Sequence, residues 1–178
     1  MEYKENQHLN LWWLYVLLSV ETVVVCALLF IGKDAVSHAE LKRMYYMPML
    51  GVILPFVIIF LISRSRFEFM VNAYGISYRY WPFSRLKTIS WTQIDSAYLR
   101  KYDALGEYGG WGVKGRLWFK RKDKAYIFND KNIGLQLEMN NGQRLLFSVS
   151  KNEELNLFLI NLKHAYPIRA IDTDVRER

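Results

Sequence analysis

The chain has little of what crosslinks small folds or holds metals: its 178 residues include one cysteine, Cys26, and three histidines. A single cysteine excludes a disulfide framework and a Cys-based zinc site. His8, His38 and His164 are far apart and share no ligand spacing, so no metal is expected. With four prolines and ten glycines the chain is neither collagenous nor low in complexity. It also lacks a nucleophile elbow, H-E-x-x-H or any other catalytic constellation, so neither a catalytic residue nor a cofactor is expected. Asp95, Asp103 and Glu107 have a spacing that predicts no shared site and are read as surface or turn carboxylates.

What is present divides sharply. Leu11 to Ile31 is an apolar run whose only charge is Glu21, and Met44 to Ser63 carries no charge at all. At ~1.5 Å per helical residue each is long enough for ~30 Å of hydrocarbon. Trp12, Trp13 and Tyr15 open the first run and Tyr45 and Tyr46 the second, as an interfacial belt would place them. The start, Met-Glu-Tyr-Lys-Glu, is no basic leader, and no small-x-small site follows Ile31, so the first run is expected to stay. The expected organisation is a tail, 1–10, then a transmembrane hairpin, 11–63, turning at Gly32 to Arg43. Lys33, Lys42 and Arg43 in the turn face Lys4, Arg64, Arg66 and Arg79 on the other side, which favours cytosolic ends.

Glu21 lies at mid-span, where a charge is expensive and marks a candidate site. Pro55 has no N–H for the carbonyl of Gly51, so that oxygen is a candidate partner for a protonated Glu21, within the hairpin or across an oligomer. The other reading has Glu21 held by Ser19 or Thr22. Cys26 reads as a small apolar filler.

From Arg64 onward stand 20 Lys/Arg against 12 Asp/Glu. Strand patterns cover 67–72, 76–81, 86–91, 97–102, 116–120, 125–128, 133–139 and 144–149, with turns at Ala73 to Gly75, Arg121 to Lys124 and Asn140 to Gln143. The Asn-Gly pair in the last turn is a hairpin signal. Ser150 and Glu153 read as a capping box, and Leu155, Phe158, Leu159 and Leu162 as one helical stripe ending before Pro167. The predicted fold is membrane-anchored α+β: an antiparallel barrel of about seven strands, 64–168, capped by a C-terminal helix, then a charged tail, 169–178.

Tyr74-Gly-Ile-Ser, Ile89 to Ile94, Arg100-Lys-Tyr102, Glu107-Tyr-Gly-Gly-Trp-Gly112, Lys124-Ala-Tyr126, Gly134 to Leu137 and Gly142 to Leu146 resemble a bacterial group of small membrane proteins. Its members carry a two-helix anchor and a pleckstrin-homology-like (PH-like) domain. The resemblance implies fold and inner-membrane location, and brings no reaction. Its most specific part is the loop Tyr108, Gly109, Gly110, Trp111, Gly112. After Leu146 the chain departs from that group's Gly-Thr-Gln with Phe147-Ser-Val149.

Gly110-Trp-Gly112-Val-Lys-Gly115 matches G-x-G-x-x-G, but strand residues follow where a nucleotide site needs a helix, so no nucleotide is expected. The glycines read as a turned connection, with Trp111 packed inside or standing at a binding surface. Lys114, Arg116, Lys120, Arg121, Lys122 and Lys124 form the densest basic cluster, with Trp118 between cations on one strand face. Such a hairpin either contacts anionic headgroups at ~1 kcal/mol per cation or is simply solvated. The modest charge does not suit nucleic acid. The expected function is a non-catalytic, membrane-anchored interaction module, for a protein partner or its own copies, with lipid contact at the basic hairpin. The alternative is a small transport or sensing subunit using Glu21 in an oligomer.

Overall fold

The computed structural model describes residues 1–9, 11–31, 37–43, 47–116 and 120–176. It divides into two units, Met1–Leu9 with Ser65–Arg178, and Asn10–Arg64. The β-rich unit begins with β1 (Glu2–Gln7) and resumes after the helical one with β2 (Arg66–Asn72), β3 (Gly75–Trp81) and β4 (Lys87–Ser90). A 3-10 turn, Trp91–Gln93, leads into β5 (Ile94–Lys101). The remaining strands are β6 (Gly112–Arg116), β7 (Lys120–Ile127), β8 (Ile133–Met139) and β9 (Arg144–Ser148).

Residues 2–7, expected within a tail, are therefore a strand of this unit. β1 pairs along its whole length with β2, and Tyr3, Glu5 and Gln7 alternate inward in strand period. A run as polar as Glu-Tyr-Lys-Glu-Asn-Gln hides this role, because two of its three inward residues satisfy each other: Gln7 Nε2 donates to Glu5 Oε1 at 2.6 Å. Tyr3 adds a bond to Glu5 Oε2 at 2.5 Å. The far end is no tail either. Ile171 and Arg176 bridge to Ala97 and Arg100, and Asp172 and Arg176 donate backbone N–H to the carbonyls of Ala97 and Leu99, covering the free edge of β5.

The strands form two sheets, ordered β1-β2-β3-β4 and β5-β8-β9-β7-β6. No ladder joins them among the described residues, so the domain is α+β but not a closed barrel. The β6–β7 hairpin accounts for the larger second sheet: it lies beyond β9, with β7 parallel to that strand. Residues 121–124, expected as a turn, lie within strand β7. The two inner faces share one core, in which Phe67 stacks on Phe128, Tyr126 and Phe147. Helix α5 (Asn152–Ala165) buries Leu155, Leu159 and Leu162 in that core, as its stripe predicts. The Ser150–Glu153 capping box does not form: Ser150 donates its N–H to Glu5 and receives Asn129 Nδ2 on its hydroxyl. A capping box stands instead at Ser90 and Gln93, starting the 3-10 turn. Gly75 is required where the β2–β3 turn meets β4, since a Cβ there would lie 2.0 Å from the carbonyl oxygen of Ile89.

In the helical unit, α1 (Trp12–Phe30) and α3 (Met47–Arg64) pack together, and the turn between them holds a short α2 (His38–Arg43). Residues 44–46, the start of the expected second span, lie outside the described residues. Trp12–Leu29 is long and apolar enough to cross a membrane, with mean hydropathy 2.0. Among the described residues the second helix does not reach that length: its apolar stretch is Met49–Arg64, which at ~1.5 Å per residue gives ~24 Å against a ~30 Å core.

Candidate functional site

The register gives the β-rich domain two distinct ends. β1 finishes at Gln7 opposite Phe67, and β2 starts at Arg66 opposite Trp81, so both chain links to the helical unit leave from one end. Ser148, at the close of β9, belongs to that end, since it exchanges hydrogen bonds with Gln7 at 2.7 Å. β7 runs parallel to β9, from Asp123 opposite Arg144 to Tyr126 opposite Phe147. Its beginning, at Lys120, therefore lies at the other end, beside the Asn140–Gln143 turn. Eight strand residues put ~26 Å between the two levels.

This separates the basic cluster from the end where the links to the helical unit leave. Lys122 and Lys124 are exposed on β7 and Lys114 is half-buried on β6. Between Lys122 and Lys124, Asp123 turns inward and is buried. The backbones of Arg116, Lys120 and Arg121 continue these two strands. Trp118 lies outside the described residues, and so does the proposed face it would share with Arg116 and Lys120.

The specific loop is a structural corner. Asp103 caps α4 (Ala104–Tyr108), its Oδ1 accepting from the N–H groups of Leu105 and Gly106 at 3.0 and 2.9 Å. Gly109 ends that helix at φ 72°, Gly110 follows at φ 116° and Gly112 opens β6 at φ 100°. Three such residues in four positions explain the glycines without any phosphate. Tyr108 is buried with Tyr102, Ala104, Ala125, Ile127 and Leu146, and Trp111 packs against that cluster. The indole N–H of Trp111 is buried with no acceptor among the described residues.

Beneath this corner sits a polar network that spacing did not reveal. Arg100 Nη2 meets Glu107 Oε2 at 3.0 Å and Tyr108 Oη at 3.1 Å, while its Nε donates to Gln136 Oε1 at 3.0 Å. Tyr108 Oη in turn donates to Asp123 Oδ1 at 3.3 Å, and Glu107 Oε1 accepts the Asp103 N–H at 3.0 Å. Glu107, expected at the surface, is 5% exposed. Burial opposes the Arg100 charge, yet bonds to Glu107 and the nearby Tyr108 outweigh it and hold the guanidinium's pKa above its usual value. The network joins β5, α4, β7 and β8, and so fixes the glycine corner in place. The one signal available was Asp103 as a helix N-cap.

Burial, the largest cause, also raises the phenol pKa of Tyr102, with Arg100 opposing and Tyr108 and Asp130 adding to it. Tyr78 is raised by burial and then by Tyr126. An unfolded tyrosine ionises near pH 10, so above that the native state holds more protons than the unfolded one. Stability is therefore full below about pH 10 and falls as pH rises beyond it. Denaturant midpoints measured across that range will show the decline, and Tyr102→Phe will flatten it.

Glu21 is exposed on α1 and makes no hydrogen bond or ion pair among the described residues. Neither expected partner reaches it. Ser19 and Thr22 donate to the carbonyls of Tyr15 and Leu18 in their own helix. Gly51 faces Val25, whose Cγ1 would lie 3.6 Å from an added Cβ. Pro55 is buried in α3.

Two clefts add to these features. One, of about 380 Å³, lies between Tyr78, Lys87, Lys124 and Tyr126. The other, of about 510 Å³, is formed by the β3–β4 loop, from Trp81 through Pro82, Phe83, Ser84 and Arg85 to Leu86, with Arg79. In sequence this stretch stands only as the gap between the strand patterns 76–81 and 86–91. Among the described residues no three His, Cys, Asp or Glu side chains group as metal ligands would. Compared with known proteins, the chain matches no family model and no curated protein.

Proposed function

We propose that the chain is a membrane-anchored, non-catalytic interaction module: a helical hairpin in a bacterial inner membrane carries a PH-like domain that binds a protein partner or a second copy. The observation that carries this reading is α1. Only 11% of its 18-residue apolar window is buried, and Leu17, Val20, Val24 and Leu28 are all more than half exposed. Covering such a surface with water forfeits about 25 cal/mol per Å², which a bilayer recovers. α3 would complete the hairpin by bringing Arg64 to the interface, where a long cation can reach headgroups.

The PH-like reading is supported by strand order. Without the helical insertion after β1 and the β6–β7 hairpin, the chain is a four-strand meander, a three-strand meander β5-β8-β9 and a terminal helix. The basic hairpin and the outer strands β1, β4 and β6 are then the surfaces left for a partner. Cytosolic ends follow from the balance of Lys and Arg around the helices.

Leu17→Lys combined with Val24→Lys tests the anchor. Each lysine at mid-helix costs ~2.5–3.5 kcal/mol of insertion. The doubly substituted chain is expected to leave the membrane fraction in flotation, while lysines at the exposed Tyr74 and Leu157 leave the fractionation unchanged. Equal flotation of both would contradict the reading.

A further inference from the structure

The β3–β4 loop holds a cluster of exposed apolar side chains at the end of the domain that joins the helical unit. Trp81, Phe83 and Leu86 are 39%, 55% and 57% exposed within six residues. Around them stand Arg66, Arg79, Arg85 and Lys87, with Glu68 the one carboxylate facing them among the described residues. Glu68 is bound by Arg66 at 2.9 Å and by Arg79 at 2.6 Å, and the Arg66 guanidinium lies over the Trp81 ring at 5.7 Å. Arg85 and Lys87 have no such partner among the described residues. Indole, phenyl and leucyl groups beside cations are what a bilayer interface accommodates: rings and chain at headgroup depth, ammonium and guanidinium groups against phosphate.

Chain length brings this loop to that depth. A single residue, Ser65, separates α3 from β2, and Arg66 pairs with Trp81. Two residues of chain, at most ~7 Å, and one ladder spacing of ~5 Å connect Arg64 to Trp81. That reach is comparable to the headgroup layer, which takes a ~30 Å core to ~40–45 Å overall. The basic hairpin has no such constraint, being a full strand length away.

We infer that the β3–β4 loop is a second membrane contact, in which Trp81, Phe83 and Leu86 enter the headgroup region of an anionic bilayer and Arg79, Arg85 and Lys87 meet its phosphates. This rests on the anchored reading above. It assigns the lipid contact to residues 81–87 and leaves the basic hairpin free to face a partner. The loop thereby limits how far the domain can swing on its two links.

The test uses the full chain with Cys26→Ser, reconstituted in vesicles of phosphatidylcholine and phosphatidylglycerol. Nitroxide labels are placed singly at Phe83→Cys, Tyr74→Cys and Val24→Cys, and collisions with oxygen and with an aqueous nickel complex are compared. The expected result is a deep label at 24, an aqueous label at 74 on the opposite end of the sheet, and a label at 83 that meets oxygen more often than nickel. An aqueous label at 24 overturns the anchor itself. A deep label at 24 with residue 83 as wet as residue 74 overturns the loop contact alone. A label at 83 shielded from both reagents means that protein covers the loop, and overturns the lipid assignment. Arg85→Glu with Lys87→Glu is expected to shift the residue 83 label towards water; no shift would remove the part given to charge.

Discussion

Arg100→Met is expected to destabilise the β-rich domain by about 3–5 kcal/mol, the range for removing one partner of a buried ion pair. The size follows from what remains. Glu107 keeps its place in α4 at 5% exposure, without the guanidinium that met both of its oxygens at 3.2 and 3.0 Å. Gln136 and Tyr108 lose a donor in the same change. Replacing Glu107 with leucine as well is expected to cost less than Arg100→Met alone, because no buried carboxylate is then left without its guanidinium. Denaturant titration in detergent, followed by tryptophan fluorescence, measures both. A loss below about 1 kcal/mol would mean that water screens the pair as it does at a surface.

Phe67→Ala is the second large effect, at about 3–5 kcal/mol for a buried aromatic replaced by alanine. Phe67 is fully buried, with Phe128, Tyr126 and Phe147 at ring separations of 4.9, 5.4 and 5.9 Å. It comes from the first sheet and all three neighbours from the second sheet or its margin, so its loss opens a cavity where the sheets meet. Phe83→Ala is the comparison, because an exposed ring should change stability by no more than about 0.5 kcal/mol. Similar losses for the two would contradict the packing described. Against a typical domain stability of ~5–15 kcal/mol, the loss of Phe67 removes a large share.

How legible these features were in the sequence depends on whether one segment carried its own signal. Helix α5 and the Asn-Gly hairpin could be read because period and turn chemistry are local. β1 could not, since its inward face is Tyr, Glu and Gln, and its partner strand comes some 60 residues later in the chain. The C-terminal segment was missed for a similar reason: backbone bonds to β5 hold it, and backbone bonds leave no mark on composition. The capping box was misplaced because Ser150 competes for a different partner, Glu5, across 145 positions. Among the site residues, the glycines of 109–112 announced a turned connection. The Arg100–Glu107 pair did not announce itself, because a charged residue seven positions from another predicts nothing until a strand and a helix bring them together. The cluster at 81–86 was visible as letters, but its exposure and its place at the end joined to the helical unit needed the register.

The most direct test is an alkaline carbonate wash of membranes from cells making the intact chain. A helix held by hydrocarbon stays in the pellet and is released only by detergent, and that is the result expected for α1. Release of the chain into the wash as a stable, detergent-free species would contradict the anchor.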